Sequence, residues 1–296
     1  MKDVSFELYK VFYHVASLGS FSAAAARLFL SQSAISQSIK SLEEQLGVQL
    51  LWRNSRQVSL TQSGELLYSH VEQAFQLLKT GERSLLELTT LEQGELSIGA
   101  SDTLCKYHLL PFLQQFHRRF PRIRLKIISR PSPVCVDLLT KGQVDVVAVN
   151  LPHAGSYPHT ILHHRFPLQD AFVGGPRFRH LQARALTLQE LAQLPLLTLE
   201  SGTGTRRFLD HLFTSQGLQP QPEIELDSLD LLLDLAEIDL GITFASREHL
   251  SSRLKNETLF LLPVDTPIPP REWGLLAHSR LPLPPAALEF LRLFEG

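Results

Sequence analysis

Apolar positions in the first ninety residues recur with the spacing of helices. Leu8, Val11, Phe12 and Val15 share one face of a helix over 6–18. "LGS" breaks it, and "SFSAAAARL" opens a second helix, with Ser20 or Ser22 as N-cap and an alanine run of high helix propensity. The alanines also allow close approach of another helix. "FLS" is a short turn, and Ser31 is placed to cap a third helix, "SQSAISQSIKSLEEQLG". There Ile35, Ile39, Leu42 and Leu46 form one apolar stripe at steps of four, three and four. Two short helices joined by about three residues make a helix-turn-helix signature.

The opposite face of the third helix carries Gln32, Ser33, Ser36, Gln37 and Lys40. Serine gains nothing inside a helix, so five serines in this stretch call for another reason. A helix entering a major groove needs short side chains that donate and accept hydrogen bonds. Glutamine can pair with an adenine edge, serine with a base or a phosphate. The first residues of such a helix make most base contacts. Ser31 caps, and the N–H groups beside it suit a phosphate. After Gly47, Val48, Leu50 and Leu51 dock the chain on the core. "RNSR" then forms a polar tip, and "QVSLT" alternates like a strand. The segment reads as a wing with Arg53 and Arg56 at phosphate or minor-groove positions.

From 62 to 91 the pattern is one long helix of roughly 45 Å. Leu67, Val71, Ala74, Leu78, Gly81, Leu85 and Leu88 follow four-three steps, a coiled-coil seam. An identical chain is the economical partner. Gly81 interrupts the seam and is a candidate bend.

Beyond "GELSIGA" the texture changes. Short apolar strands alternate with helices: "ELSIGA", "HLLPFLQQFHRRF", "RLKIIS", "PVCVDLLTKG", "VDVVAVN". These are βαβ units, hence a parallel sheet covered by helices. A second set runs from "AFVGG" to "GITFA". A late strand, "EWGLLAH", and helix, "PAALEFLRLF", follow the Pro-rich "VDTPIPP". One late element free to rejoin the first sheet predicts two lobes. The crossovers are placed near 150–160 and 263–270. The domains are then 1–61, 62–91 and 92–296, with lobe 1 at about 92–160 and 266–296 and lobe 2 at about 161–265. The fold class is α/β behind an N-terminal winged helix-turn-helix.

Ligands of open α/β sheets bind beyond the carboxyl ends of the strands. The residues there are Ser101, Asp102, Thr103, Ser132 and Asn150 in one lobe, and Ser201, Gly202, Thr203, Gly204, Ser228 and Phe244 in the other. "SGTGT" is the sharpest feature, because glycines and hydroxyls before a helix leave N–H groups free for an anion or carboxylate.

Charge sharpens the first part of this picture. The whole chain of 296 residues has a formal charge of −2, so no general polycation is present. Between Phe21 and Thr61, however, Arg27, Lys40, Arg53 and Arg56 outnumber Glu43 and Glu44, which favours a focused surface for nucleic acid. Signal-peptide character, a run of about 18 apolar residues and a disulfide framework are missing from the sequence, so a cytoplasmic setting without membrane contact is expected. Cys105 and Cys135 stand near helix starts, where a thiol is activated, or serve as small apolar residues. His159 and His163 have the spacing of two helical metal ligands, but "TIL" between them prefers strand, so no metal is expected. No nucleophile elbow, Rossmann fingerprint or Walker loop appears, so neither catalytic residues nor a cofactor are expected.

"FYHVASLGSFSAAAARLFLSQSAISQSIKSLEEQLGVQLLWRNSRQVSLTQSGELLY" resembles the winged helix-turn-helix of the LysR-type transcriptional regulators across its whole length. The likeness includes the "GSFS-AA-RL" entry, the third helix and the "R…V.LT.SG" wing exit. It departs at Ser33, where the family most often has proline. The resemblance implies a dimerising linker helix and a periplasmic-binding-protein-like effector domain with an unidentified small-molecule effector. It also implies double-stranded operator DNA and further copies of the chain as partners, towards a tetramer, with RNA polymerase as another candidate. It supports Ser101, Thr103 and Ser132 as effector contacts. Asp102 stands where many members have Ser or Thr, and an acid there would receive an amine, as of an amino acid.

Overall fold

In a computed structural model, residues 4–53, 58–89, 94–152 and 156–295 are described. The chain divides into two compact units, Met1–Glu82 and Arg83–Gly296.

The first unit holds α1 (Phe6–Leu18), α2 (Phe21–Leu28), α3 (Gln32–Leu46), β1 (Leu51–Arg53), β2 (Val58–Leu60) and the start of α4 (Gln62–Thr89). Gly19 ends α1 at φ 60°, in the left-handed region. Ser20, not Ser22, caps α2 by accepting from the Ala23 N–H at 3.2 Å. Phe12, Val15, Ile35, Ile39, Leu42 and Leu51 are fully buried in one core. β1 and β2 pair antiparallel from Leu51↔Leu60 to Arg53↔Val58. The Glu43 carboxylate accepts from the N–H groups of Leu50 (2.8 Å) and Leu51 (3.2 Å), tying the wing to α3. A Cβ at Gly64 would lie 2.0 Å from the Leu50 carbonyl oxygen, so α4 can leave the wing only through a glycine.

α4 is one continuous helix of 28 residues, with no break at Gly81. Its predicted seam divides in two. Val71 is buried and Leu67 half-buried in the core of their own unit, where Phe75 stacks on Phe6 (5.1 Å) and Tyr13 (4.8 Å). Ala74, Leu78, Gly81 and Leu85 are exposed. The first two seam positions are therefore corrected to intrachain packing. The side chain of Leu88 lies outside the described residues.

The second unit contains two five-stranded sheets. Lobe 1 has the order β4-β3-β5-β12-β6, from β3 (Gly94–Ala100), β4 (Ile123–Ser129), β5 (Val146–Asn150), β6 (Thr160–Leu168) and β12 (Arg271–His278). Lobe 2 has the order β11-β7-β10-β8-β9, from β7 (Asp170–Gly174), β8 (Leu196–Leu199), β9 (Ile224–Leu226), β10 (Ile242–Ser246) and β11 (Phe260–Leu262). In lobe 1, α5 (Asp102–Leu104), a π-helical turn (Cys105–Leu109), α6 (Leu110–Arg119) and α7 (Ser132–Thr140) connect the strands. Lobe 2 has a 3₁₀ segment (Pro176–Ala183), α8 (Leu188–Leu191), α9 (Gly204–Thr214), α10 (Leu229–Glu237) and α11 (Arg247–Lys255), and α12 (Pro285–Arg292) returns to the lobe-1 core.

The first crossover needs correction. Thr160–Leu168 pairs antiparallel with β12 along its length, so this strand stays in lobe 1 and the chain crosses at Gln169. The loop at 150–160 only turns back, and residues 161–168 belong to lobe 1 rather than lobe 2. The second crossover lies between β11 and β12, at 263–270.

Candidate DNA-reading surface and ligand cleft

α3 presents its polar row as its sequence pattern predicts. Ile35, Ile39 and Leu42 are fully buried, while Gln32, Ser33, Gln37 and Lys40 are exposed and Ser36 is half-buried. Ser31 caps the helix by accepting from the Ala34 N–H at 3.2 Å. The Ser31 and Ser33 hydroxyls are 2.9 Å apart, and Ser22 donates to Gln32 Oε1 at 3.3 Å. A serine at 33 thus adds a hydroxyl contact at the helix start. Lys40 meets Glu44 at 3.7 Å with both side chains largely exposed, a contact worth little. Arg53 ends β1 with its side chain outside the described residues, and Arg56 lies outside them altogether. Ahead of α3, Phe29 is 95% exposed at φ 55°.

Between the two lobes lies a cavity of about 800 Å³. Its walls come from the lobe-1 loop at Asn150, Leu151, Pro152 and Tyr157, from Pro133 and Pro167, and from Pro269, Pro270, Arg271 and Glu272 at the second crossover. Lobe 2 contributes one face of α9: Gly204, Arg207, Phe208, His211 and Leu212, with Ser215 just beyond. A Cβ at Gly204 would sit 3.0 Å from that of Asn150, so this glycine lets the lobes approach.

Of the eleven effector positions expected, Asn150 and Gly204 line this cavity; the other nine do not. The hydroxyls among them serve the backbone. Ser101 caps α5 and Thr203 caps α9, accepting from the Leu104 and Arg206 N–H groups. Ser132 is buried and accepts from the Asn150 N–H at 3.1 Å, so it fixes a cavity residue from behind. Phe244 is 3% exposed in the lobe-2 core, tilted against Phe172 and stacked on Phe208. Asp102, Ser201 and Gly202 are exposed outside the lining and Thr103 is half-buried there. An amine site resting on Asp102 therefore loses its place in the cavity.

Sequence reasoning missed the groups that join the lobes. Arg271, at the second crossover, grips Asp170, just past the first, through two nitrogens at 2.5 and 2.7 Å. Asp170 is 2% exposed, so this is a buried bidentate pair. Arg271 also reaches Asn150 Oδ1 (3.4 Å) and lies over the Phe208 ring. On the flank away from α9, the π-helical turn supplies Lys106, Tyr107 and His108. Lys106 and the Tyr107 hydroxyl both reach Asp230 Oδ1, at 2.7 and 2.5 Å. Burial pushes the Asp230 pKa upward, but these contacts outweigh it and hold the carboxyl below its usual range. His108 Nε2 faces His249 Nε2 at 3.4 Å, and Ser246 holds the other nitrogen of His249. Burial, then His108 and Arg271, drive the His249 pKa down to about 3. π-Helical turns concentrate at functional places; this one spends three consecutive side chains on the opposite lobe.

Neither cysteine has an activated thiol. Burial pushes Cys135 up to about 11, with its Sγ donating to the Arg130 carbonyl, and burial raises Cys105 too. His163 sits within β6 and His159 just before it, an extended path on which four residues spread by roughly 13 Å. Among the described residues no three His, Cys, Asp or Glu converge as a metal site. No described helix is long and apolar enough to cross a membrane.

Comparison with known proteins decides the family. Residues 6–65 match the bacterial regulatory helix-turn-helix protein, lysR family, and residues 89–296 match the LysR substrate binding domain. The chain belongs to the LysR family. It is 29% identical over 220 residues to the HTH-type transcriptional regulator CysB of Burkholderia cenocepacia, covering 74% of this chain and 70% of that one. A full-length OxyR variant from Pseudomonas aeruginosa superposes with a TM-score of 0.71 at 20% identity, over 98% of this chain and 94% of the other. Full-length CbnR, crystallised with its target DNA, gives 0.63 at 20% identity over 98% and 99%. As a LysR-type transcriptional regulator, the protein binds DNA through its N-terminal unit and carries an effector-binding domain; it is not an enzyme.

Proposed function

We propose that two copies of this LysR-type regulator bind a pseudo-palindromic operator, one α3 helix per half-site, under control of a small molecule in the inter-lobe cavity. The observation that carries the DNA part is the two-sided α3: a fully buried Ile35–Ile39–Leu42 stripe behind an exposed row of Gln32, Ser33, Gln37 and Lys40. Side chains on that row have the length and donor–acceptor character that base edges require. Exposed Ala74, Leu78, Gly81 and Leu85 on α4 support self-association, in dimers and then tetramers. CbnR, of the same fold, has been seen on its target DNA. The cavity supports the effector part, because a ligand touching both lobes acts through its different affinities for their arrangements.

An operator selected from random duplex DNA tests the reading. Gln32→Ala or Gln37→Ala is expected to cost about 1–3 kcal/mol and relax specificity at one base step. Arg53→Ala is expected to weaken all sequences alike and flatten the salt dependence. Unchanged binding in all three variants would sink the assignment of the reading surface.

A further inference from the structure

We infer that the effector is an organic carboxylate with an apolar body, its charge received by Arg207 and His211 on α9. The inference rests on reading the inter-lobe cavity as the effector site. Among the described residues, four ionisable side chains besides Tyr157 line that cavity: Arg207, His211, Arg271 and Glu272. Two are already answered. Asp170 takes Arg271, and Arg165 stands 3.4 Å from Glu272. Arg207 and His211 have no ion-pair partner among the described residues. They lie four apart, so both project from the same helical face into the cavity.

The neighbouring arginine makes the point by contrast. Arg206 is bound on all sides, by Asp210, Glu225, Thr198 and the Leu199 carbonyl. It is a structural cation of lobe 2, whereas Arg207 is left free to serve a ligand. Its charge is felt across the cavity: burial raises the Tyr157 pKa, and Arg207 opposes it. The Tyr157 hydroxyl is committed to donating to the Asn150 carbonyl. A carboxylate suits the planar guanidinium. The remaining walls decide the rest of the ligand. Pro133, Leu151, Pro167, Phe208, Leu212 and Pro270 offer apolar surface and few polar partners, which fits an aliphatic or aromatic body rather than a sugar.

Calorimetric titration of the full chain with matched probes tests this: benzoate, phenylacetate and hexanoate, their primary amides, the corresponding amines, phenylalanine and inorganic phosphate. Saturable binding is expected for at least one carboxylate, with its amide, amine and amino-acid counterparts and phosphate weaker by about tenfold or more. Arg207→Ala is expected to remove that preference without moving the ligand-free melting temperature, and His211→Ala to reduce it less. No binding by any carboxylate, equal binding of the amines or amides, or full affinity in Arg207→Ala overturns the inference. The same titrations repeated on the operator complex separate the two ideas. A carboxylate held by Arg207 that leaves DNA binding unchanged upholds the charge preference and refutes the effector reading. An amine that alters DNA binding does the reverse.

Discussion

The two flanks of the inter-lobe cleft are built to opposite plans. On the flank of α10 and α11, polar side chains that reach across between the lobes are paired: Lys106 and Tyr107 share Asp230, and His108 meets His249. On the α9 flank the cavity opens, and Arg207 and His211 stand in it with no ion-pair partner among the described residues. Between them the Arg271–Asp170 pair fastens the two crossovers, where the chain passes from one lobe to the other. The difference separates groups that define how the lobes meet from groups that await something else. A buried, fully paired residue reports on the fold, and an unpaired cation in a cavity reports on a ligand.

The clearest way to break this comparison is at the hinge pair. Arg271→Ala leaves the Asp170 carboxylate buried without its partner, at an expected cost of about 3–5 kcal/mol. Chemical denaturation of the full chain measures it. Arg207→Ala, an arginine equally close to the cavity, is expected to cost nothing by the same measurement. Equal losses would erase the distinction between the flanks.

The histidine pair gives the next largest effect. His249 is neutral in the folded chain, with its pKa pressed from 6.5 to about 3, and burial lowers that of His108 as well. The unfolded chain binds these protons first, so the stability they protect is complete above pH 6.5 and drains as pH falls towards 3. The pair is faced by Tyr107 and Trp273 from lobe 1, by Ser246, Glu248 and Asp230 from lobe 2, and by Arg271 at the hinge. Depressed carboxylates such as Asp230 and Glu190 add their own loss only below their usual values of 3.8 and 4.5. Between pH 6.5 and 4.5, then, a loss of up to about 3 kcal/mol is expected from the pair. Its slope should flatten in His249→Gln; an unaltered slope would show that the histidines do not carry it.

How much of this was legible in the sequence follows from range. The helix-turn-helix was, because its signals are local: Ser20 and Ser31 cap the helices they precede, and the Ile35–Leu42 stripe repeats within a few turns. Most strands of both lobes were legible for the same reason, but not the three-residue β11 at Phe260–Leu262. β6 was not placed, because its pairing with β12 spans more than a hundred residues and its alternation of His163, His164 and Arg165 is not apolar. Arg271 meets Asp170 across a similar distance, and neither residue has a neighbour in sequence that hints at the other. Arg207 and His211 carried a weak signal, four apart in the helix that follows "SGTGT". Continuing that helix's face beyond its first turn leads to both. Attention to loops just past strands led instead to hydroxyls that cap helices, since the same residue types and positions serve ligand binding and capping alike.

Thr203→Val tests that ambiguity with the smallest expected effect. The Thr203 hydroxyl accepts from the Arg206 N–H at 3.2 Å and donates to the Glu200 carbonyl at 3.1 Å. Valine keeps the shape and removes both bonds, so the cost expected is that of a lost cap, about 1 kcal/mol. Because α9 continues to Thr214 and is held by buried Leu209, Leu212 and Phe213, its far turns should stay in place. Carboxylate affinity, set by Arg207 and His211 on those turns, is then expected to be unchanged in calorimetry while the denaturation midpoint falls slightly. The opposite result, full stability with ligand affinity lost, would move the site back to the loop before α9 and make Arg207 and His211 ordinary surface side chains.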